Sequence, residues 1–188
     1  MMSQREALDV LARHRGDRVV ITTMTAVGIW PGLSDTPLDF AYLPSAMSQA
    51  PDLGLGLALA QPGRGVVVVN GDGSMLMNLG SLVTIANQPA NVFLVIIENG
   101  LYEVTGGQSV AGAGSTDFAG LARAAGIARV YSFDSIAVWR QGADAALAGA
   151  GPAVICLKVE GRVGEKTPAP PRSMSDQIAR LQGALGGG

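Results

Sequence analysis

The sequence predicts an α/β fold with three layers, a mainly parallel central sheet between helices on its two faces. Two observations carry this. Short apolar, β-branched runs such as Val66-Val67-Val68-Val69 and Val92 to Ile97 alternate with longer stretches of helical composition, the rhythm of successive strand–helix–strand units. At 188 residues and 48% apolar composition, the chain is also long enough for one domain with a substantial core.

Taken in order, Ser3 followed by Glu6 is a capping box that opens a helix running to about Arg15. The β-branched run Val19-Val20-Ile21-Thr22-Thr23 is the first strand. Trp30-Pro31-Gly32 and Asp35-Thr36-Pro37 mark a loop, followed by a short extended piece at Phe40-Ala41-Tyr42. Small apolar residues from Ala46 to Ala60 predict a buried helix ending at Gln61-Pro62-Gly63. Val66 to Val69 is a strand, Gly71-Asp72-Gly73 a turn, and Ser74 to Ala86 a helix capped by Ser74 and stopped at Asn87-Gln88-Pro89. Val92 to Ile97 is the next strand. Helix is expected over Asp117–Ala125 and Asp134–Leu147, with a short strand at Ala128–Tyr131 between them and a last strand at Val154–Val159. Residues 1–160 thus form the domain. Residues 161–188 are a Pro/Gly-rich connector, a short helix capped by Ser173 or Ser175, and a disordered Gly186-Gly187-Gly188 tail.

Composition removes several function classes. A formal charge of -2 gives no electrostatic reason to expect nucleic acid or an anionic membrane. No run approaches the roughly 18 apolar residues of a membrane span, and Met1-Met2-Ser3-Gln4-Arg5-Glu6 is too polar for a secretory signal. The expectation is a soluble, cytoplasmic protein. The single cysteine, Cys156, lies in an apolar strand and reads as core; alone it supports neither an intrachain disulfide nor a four-cysteine cluster. His14, the one histidine, falls in the first helix as a surface or packing residue.

The most informative residues follow two strands. Asp72, flanked by Gly71 and Gly73, comes after the run Val66–Asn70, and Asn99 at the end of the run Val92–Ile97, where open α/β sheets bind ligands at the carboxyl ends of their strands. Three readings compete for Gly71-Asp72-Gly73. It is ordinary Asp-Gly turn chemistry, or part of a dinucleotide fold with Gly54, Gly56, Gly63 and Gly65, or a metal–diphosphate site. The dinucleotide reading fails on position, since Gly54 and Gly56 lie inside a helical stretch. In the third reading the glycines let the backbone approach a diphosphate, and Ser74 with the amides of the next helical turn bind its oxygens. Asp72, Asn99 and the backbone carbonyl of Leu101 then hold Mg²⁺, a hard ion that shares its coordination with phosphates.

This arrangement resembles the signature of thiamine diphosphate (ThDP) enzymes, with Glu98-Asn99 where that family usually has Asn-Asn. Met47, 25 positions before Asp72, stands where the family places the apolar residue that wedges between the rings of ThDP; its neighbours Ser45 and Ala46 replace the usual glycines. More narrowly, Gly71 to Leu82 and Tyr102-Glu103-Val104-Thr105-Gly106-Gly107-Gln108 are similar to sulfopyruvate and phosphonopyruvate decarboxylases. The resemblance implies that ThDP and Mg²⁺ are bound by Ser45, Met47, Gly71, Asp72, Gly73, Ser74, Asn99, Leu101 and Tyr102.

The resemblance also implies that something is missing. ThDP enzymes of this group pair a diphosphate domain with a pyrimidine domain, whose glutamate activates the cofactor. Every recognisable motif of this chain belongs to the diphosphate half, and neither Glu6, Glu160 nor Glu165 occupies an equivalent place. A separate small pyrimidine-binding subunit is therefore expected, in a heteromer such as α2β2. The implied reaction is decarboxylation of a small 2-oxo acid, 3-sulfopyruvate or 3-phosphonopyruvate, to an aldehyde. Arg172, Lys166 or Thr105-Gly106-Gly107-Gln108 are the candidates for its anionic head group. Another ThDP decarboxylase or carboligase subunit, or a non-catalytic ThDP-binding module, would share the motifs. A ferredoxin-coupled oxidoreductase subunit would bring cluster cysteines that this sequence lacks.

Overall fold

The computed structural model describes residues 1–44, 46–164, 166 and 168–186. Six strands form the central sheet: β1 (Val19–Thr22), β2 (Asp39–Ala41), β3 (Val66–Gly71), β4 (Val92–Glu98), β7 (Arg129–Phe133) and β8 (Ala153–Lys158). Two more, β5 (Leu101–Tyr102) and β6 (Gln108–Ser109), stand apart from it. The order in the central sheet is β2-β1-β3-β4-β8-β7, and every pair is parallel. β3, β4 and β8 are buried at nearly every position, as expected of strands covered on both faces.

Alternate residues of these strands feed two separate cores. Val20, Val67, Val69, Phe93, Val95 and Ile155 pack with α1 (Gln4–His14), α2 (Ala26–Ile29) and α7 (Ile136–Leu147). Val19, Val66, Val68, Leu94, Ile96 and Cys156 pack with α3 (Ala50–Ala60), α4 (Asp72–Leu76), α5 (Gly80–Ala86) and α6 (Phe118–Ala124). The result is the three-layer α/β/α arrangement expected from the sequence. α1 opens with the capping box, Ser3 Oγ accepting from the Glu6 amide and Glu6 accepting from the Ser3 amide. α8 (Met174–Ala184), capped by Ser173, lies along the edge strand β2, where Gln177 Oε1 accepts from the Ala41 amide at 2.7 Å. That contact occupies a backbone donor on the open edge of the sheet.

Several boundaries differ from expectation for identifiable reasons. The helix expected from Ala46 begins at Ala50, because Ser48 takes a left-handed φ of 75° and Pro51 occupies the first turn. The helix expected over Ser74–Ala86 is two, α4 and α5, separated at Met77–Leu79. Asn78 at that bend donates to Asp52 Oδ2 at 2.8 Å, and Gly80 restarts the helix. Gly71, not Ser74, is the N-cap of α4. The loop after β1 contains α2 and a 3-10 turn at Trp30–Gly32. β5 and β6 pair as an antiparallel hairpin, turned by Gly106 and Gly107 at positive φ. β7 runs two residues past Tyr131 to Phe133, and Ser135 caps α7. Gly187 and Gly188, expected as a disordered tail, lie outside the described residues, as does Glu165.

The order of the strands locates the crevice. From β1 the chain adds β2 on one side and then returns to place β3 on the other. Connections therefore diverge between the carboxyl ends of β1 and β3, which is where doubly wound sheets open a ligand crevice.

Candidate active site

Asp72 sits at that crevice. The last residues of β3 deliver Gly71 in an extended conformation, and Asp72 is the first residue of α4. Its side chain is 4% exposed. Oδ1 accepts from the Gly73 amide at 2.8 Å and Oδ2 from the Gly100 amide at 2.7 Å, so one carboxylate bridges the ends of β3 and β4. Burial pushes its pKa above the ordinary aspartate range. The Gly100 and Gly73 amides oppose the rise, and the negative charge of Glu103 adds to it. Asn99 follows β4 directly, its Oδ1 accepting from the Leu101 amide at 3.0 Å. A buried carboxylate whose neighbours are backbone amides and a second carboxylate is stabilised by a cation. Among the described residues no group of three His, Cys, Asp or Glu side chains forms a metal cage of its own. The side-chain oxygens of Asp72 and Asn99, which line the same cleft, are hard donors of the type Mg²⁺ prefers.

Gly73 is needed for a close approach. A Cβ there would press into the Tyr102 ring, 2.8 Å from Cδ1, and lie 3.0 Å from Val110 Cγ2. Tyr102 thus packs directly on the turn after β3. Ser74 is 5% exposed, and its Oγ accepts from the Ser48 amide at 2.9 Å. This bond ties α4 to the segment carrying Met47, whose side chain is 41% exposed. One cleft is lined by Met47, Gly71, Asp72, Gly73, Ser74, Asn99, Leu101 and Tyr102. Eight of the nine residues expected at the site therefore share one cleft; the ninth, Ser45, lies outside the described residues.

The cleft also holds residues that the sequence did not single out. Thr23, Met24 and Thr25, which follow β1, line one wall, and Asn70 and Glu103 are also among the lining residues. Thr23 Oγ1 donates to the Val69 carbonyl at 2.9 Å. Glu103 is 3% exposed and accepts from Thr25 Oγ1 at 2.6 Å and from the Arg162 amide at 2.8 Å. The signal that could have found Thr23 and Thr25 is their place at the carboxyl end of β1. Of the candidates for an anionic head group, Thr105 lines the cleft and Lys166 lines an adjoining one with Gln4 and Thr25. Arg172 turns away, donating to Asp35 Oδ2 at 2.8 Å. His14 is outside the site, its Nε2 3.4 Å from Asp144 on α7.

Residues 34–157 match the family described as thiamine pyrophosphate enzyme, C-terminal TPP binding domain. The chain belongs to this family. Among its relatives is the sulfopyruvate decarboxylase subunit beta of Methanothermobacter thermautotrophicus, 51% identical over 77 residues that make up 40% of each chain. The phosphonopyruvate decarboxylase of Streptomyces viridochromogenes is 40% identical over 119 residues, which are 63% of this chain and 30% of the relative. The sulfopyruvate decarboxylase subunit beta of Methanococcus maripaludis is 31% identical over 163 residues, 84% of each chain. The match thus spans under a third of the phosphonopyruvate decarboxylase but most of the Methanococcus subunit. Benzoylformate decarboxylase from Polynucleobacter necessarius superimposes with a TM-score of 0.70 at 19% identity, over 85% of this chain and 33% of that one. This last likeness is one of fold.

Among the described residues no helix is long and apolar enough to cross a membrane.

Proposed function

We propose that this TPP-binding-domain chain is the diphosphate- and Mg²⁺-binding subunit of a two-subunit ThDP-dependent decarboxylase. Its substrate is 3-sulfopyruvate or 3-phosphonopyruvate, and its products are CO₂ and the corresponding aldehyde. The observation that carries the reading is the buried Asp72 carboxylate, held between the Gly73 and Gly100 amides beside Asn99 at the strand switch point. The names of its relatives support the substrate.

The residues present fit the cofactor. Asp72, Asn99 and the Leu101 carbonyl offer the oxygens for Mg²⁺. Ser74 offers a hydroxyl beside them, although α4 is only five residues long, so local amides rather than a long helix dipole face the phosphates. Met47, half exposed in the same cleft, is the apolar support for the rings. The chemistry that ThDP supplies when bound is an electron sink for the bond that releases CO₂. The protein's own work is to neutralise the diphosphate, orient the cofactor and exclude water.

The activating carboxylate comes, on this reading, from a small pyrimidine-binding partner subunit, in an α2β2 or similar heteromer. Exposed Met47, Leu53 and Met77 support such a cover: Leu53 and Met77 adjoin Asp52 and Asn78, whose hydrogen bond brings α3 and the α4–α5 bend together. CO₂ release by the co-expressed pair from 3-sulfopyruvate and 3-phosphonopyruvate, with pyruvate as control, tests the assignment. Release from neither substrate, with ThDP and Mg²⁺ present, would remove it.

A further inference from the structure

We propose that Glu103 is a positioning residue, a buried latch that joins three segments around the cleft and fixes the wall formed by Thr23, Met24 and Thr25. Its effect on cofactor binding rests on the proposed function; the latch itself does not. The carboxylate accepts from Thr25 Oγ1 at 2.6 Å through Oε2 and from the Arg162 amide at 2.8 Å through Oε1. Both are short, charge-assisted bonds to a side chain 3% exposed. They connect the loop after β4 to residues 78 and 59 positions away. The wall after β1, the loop of Asn99 and Leu101, and the segment after β8 therefore meet at one side chain.

Two further observations converge on this junction. A Cβ on Gly161 would lie 2.5 Å from the Asn99 carbonyl oxygen and 2.8 Å from Leu101 Cδ1. The backbone just before Arg162 thus rests directly on the candidate metal loop. Met24, immediately before Thr25, has a φ of 51°, a left-handed conformation that a side chain persists in only where its surroundings impose it. Thr23 is fastened to Val69 on one side of Met24, and Thr25 to Glu103 on the other. Removing the carboxylate frees one end of this turn and the segment at Arg162 together.

Glutamine preserves the shape of the latch: its amide oxygen accepts from the Arg162 amide while its NH₂ donates to the Thr25 hydroxyl oxygen. The test compares Glu103→Ala, Glu103→Gln and wild type as full chains, by native-state trypsin cleavage after Arg162 and by calorimetric titration with Mg²⁺-ThDP. Glu103→Ala is expected to be cut about ten-fold faster and to bind about ten-fold more weakly, the scale of one lost charged hydrogen bond. Glu103→Gln is expected to recover most of both. Thr25→Val deletes one donor, keeps the side-chain shape and reads out the same cleft should the alanine variant not fold. Wild-type cleavage rates in the alanine and valine variants, or a glutamine variant as impaired as alanine, would overturn the latch. Absence of Mg²⁺-ThDP binding by the wild type would instead overturn the proposed function, while the cleavage comparison still decides the latch.

Discussion

One added methyl at Gly73 separates two lines of reasoning that give opposite signs. Gly73 lies within α4, and helix propensity alone makes Gly73→Ala stabilising by about 1 kcal/mol. The tertiary structure argues the other way. The new Cβ would press into the Tyr102 ring, 2.8 Å from Cδ1, and sit 3.0 Å from Val110 Cγ2, whereas ordinary carbon contacts are about 3.5–4.0 Å. Neither neighbour yields freely, since Tyr102 pairs with Gln108 in the β5–β6 hairpin and the Val110 amide donates to the Gly100 carbonyl. Overpacking of this kind costs about 1–3 kcal/mol, enough to cancel or exceed the propensity gain. With about 2–4 °C of Tm per kcal/mol in a chain of this size, the melting temperature should fall by a few degrees. The hairpin should also move off the turn after β3, weakening Mg²⁺-ThDP binding by about ten-fold or more. Thermal unfolding of Gly73→Ala, Tyr102→Ala and the double variant is the assay. A coupling of about 1 kcal/mol, with the second substitution relieving the first, is expected. A raised melting temperature in Gly73→Ala, or no coupling to Tyr102, would refute the packing argument.

Other consequences are equally direct. Burial raises the pKa of Asp72; a group so shifted contributes stability below its unfolded pKa and loses it as pH rises through the folded one, so without a cation the ionised form is disfavoured. Mg²⁺ binds the ionised form, so its stabilising effect with ThDP should disappear as pH falls through that raised pKa, above the value of about 3.9 for an exposed aspartate. An unchanged pH profile in Asp72→Asn would contradict this. Cys156 is fully buried, and burial followed by the charge of Glu98 pushes its thiol far up. A chromogenic disulfide should therefore label it only at the rate of unfolding, and rapid native-state labelling would contradict the buried strand. Arg15 and Asp39 form a buried ion pair at 2.6 Å between the end of α1 and the start of β2. Arg15→Ala should cost about 3 kcal/mol in urea unfolding, the low end for such pairs, because Asp39 keeps donors from Trp30, Ser34 and Thr36.

Much of the architecture was legible because it depends on neighbours in sequence. The capping box at Ser3 and Glu6 and the uninterrupted apolar runs of β3 and β4 declare themselves within a few residues. Asp72 and Asn99 were legible as candidates for a related reason, since each directly follows such a strand. The features that local sequence does not reveal depend on tertiary contact. The break between α4 and α5 reflects the bond from Asn78 to Asp52, 26 residues upstream, and the late start of α3 reflects Ser48 in a left-handed turn tied to Ser74. Ser74 itself has the chemistry of a cap but spends its oxygen on Ser48. Glu103 stands out in the sequence only as one member of a motif, because its partners lie 78 and 59 residues away and nothing local marks it as buried. The β5–β6 hairpin is two residues per strand, too short for any periodicity to reveal.

Calorimetric titration of the wild-type chain and Asp72→Ala with ThDP, with and without Mg²⁺, alone and with the pyrimidine-binding partner, tests the role of Asp72 most directly. Metal-dependent binding by the wild type that tightens with the partner is expected, with its loss in Asp72→Ala while cooperative unfolding is retained. Full metal-dependent binding by Asp72→Ala, or wild-type binding indifferent to Mg²⁺, would contradict that role.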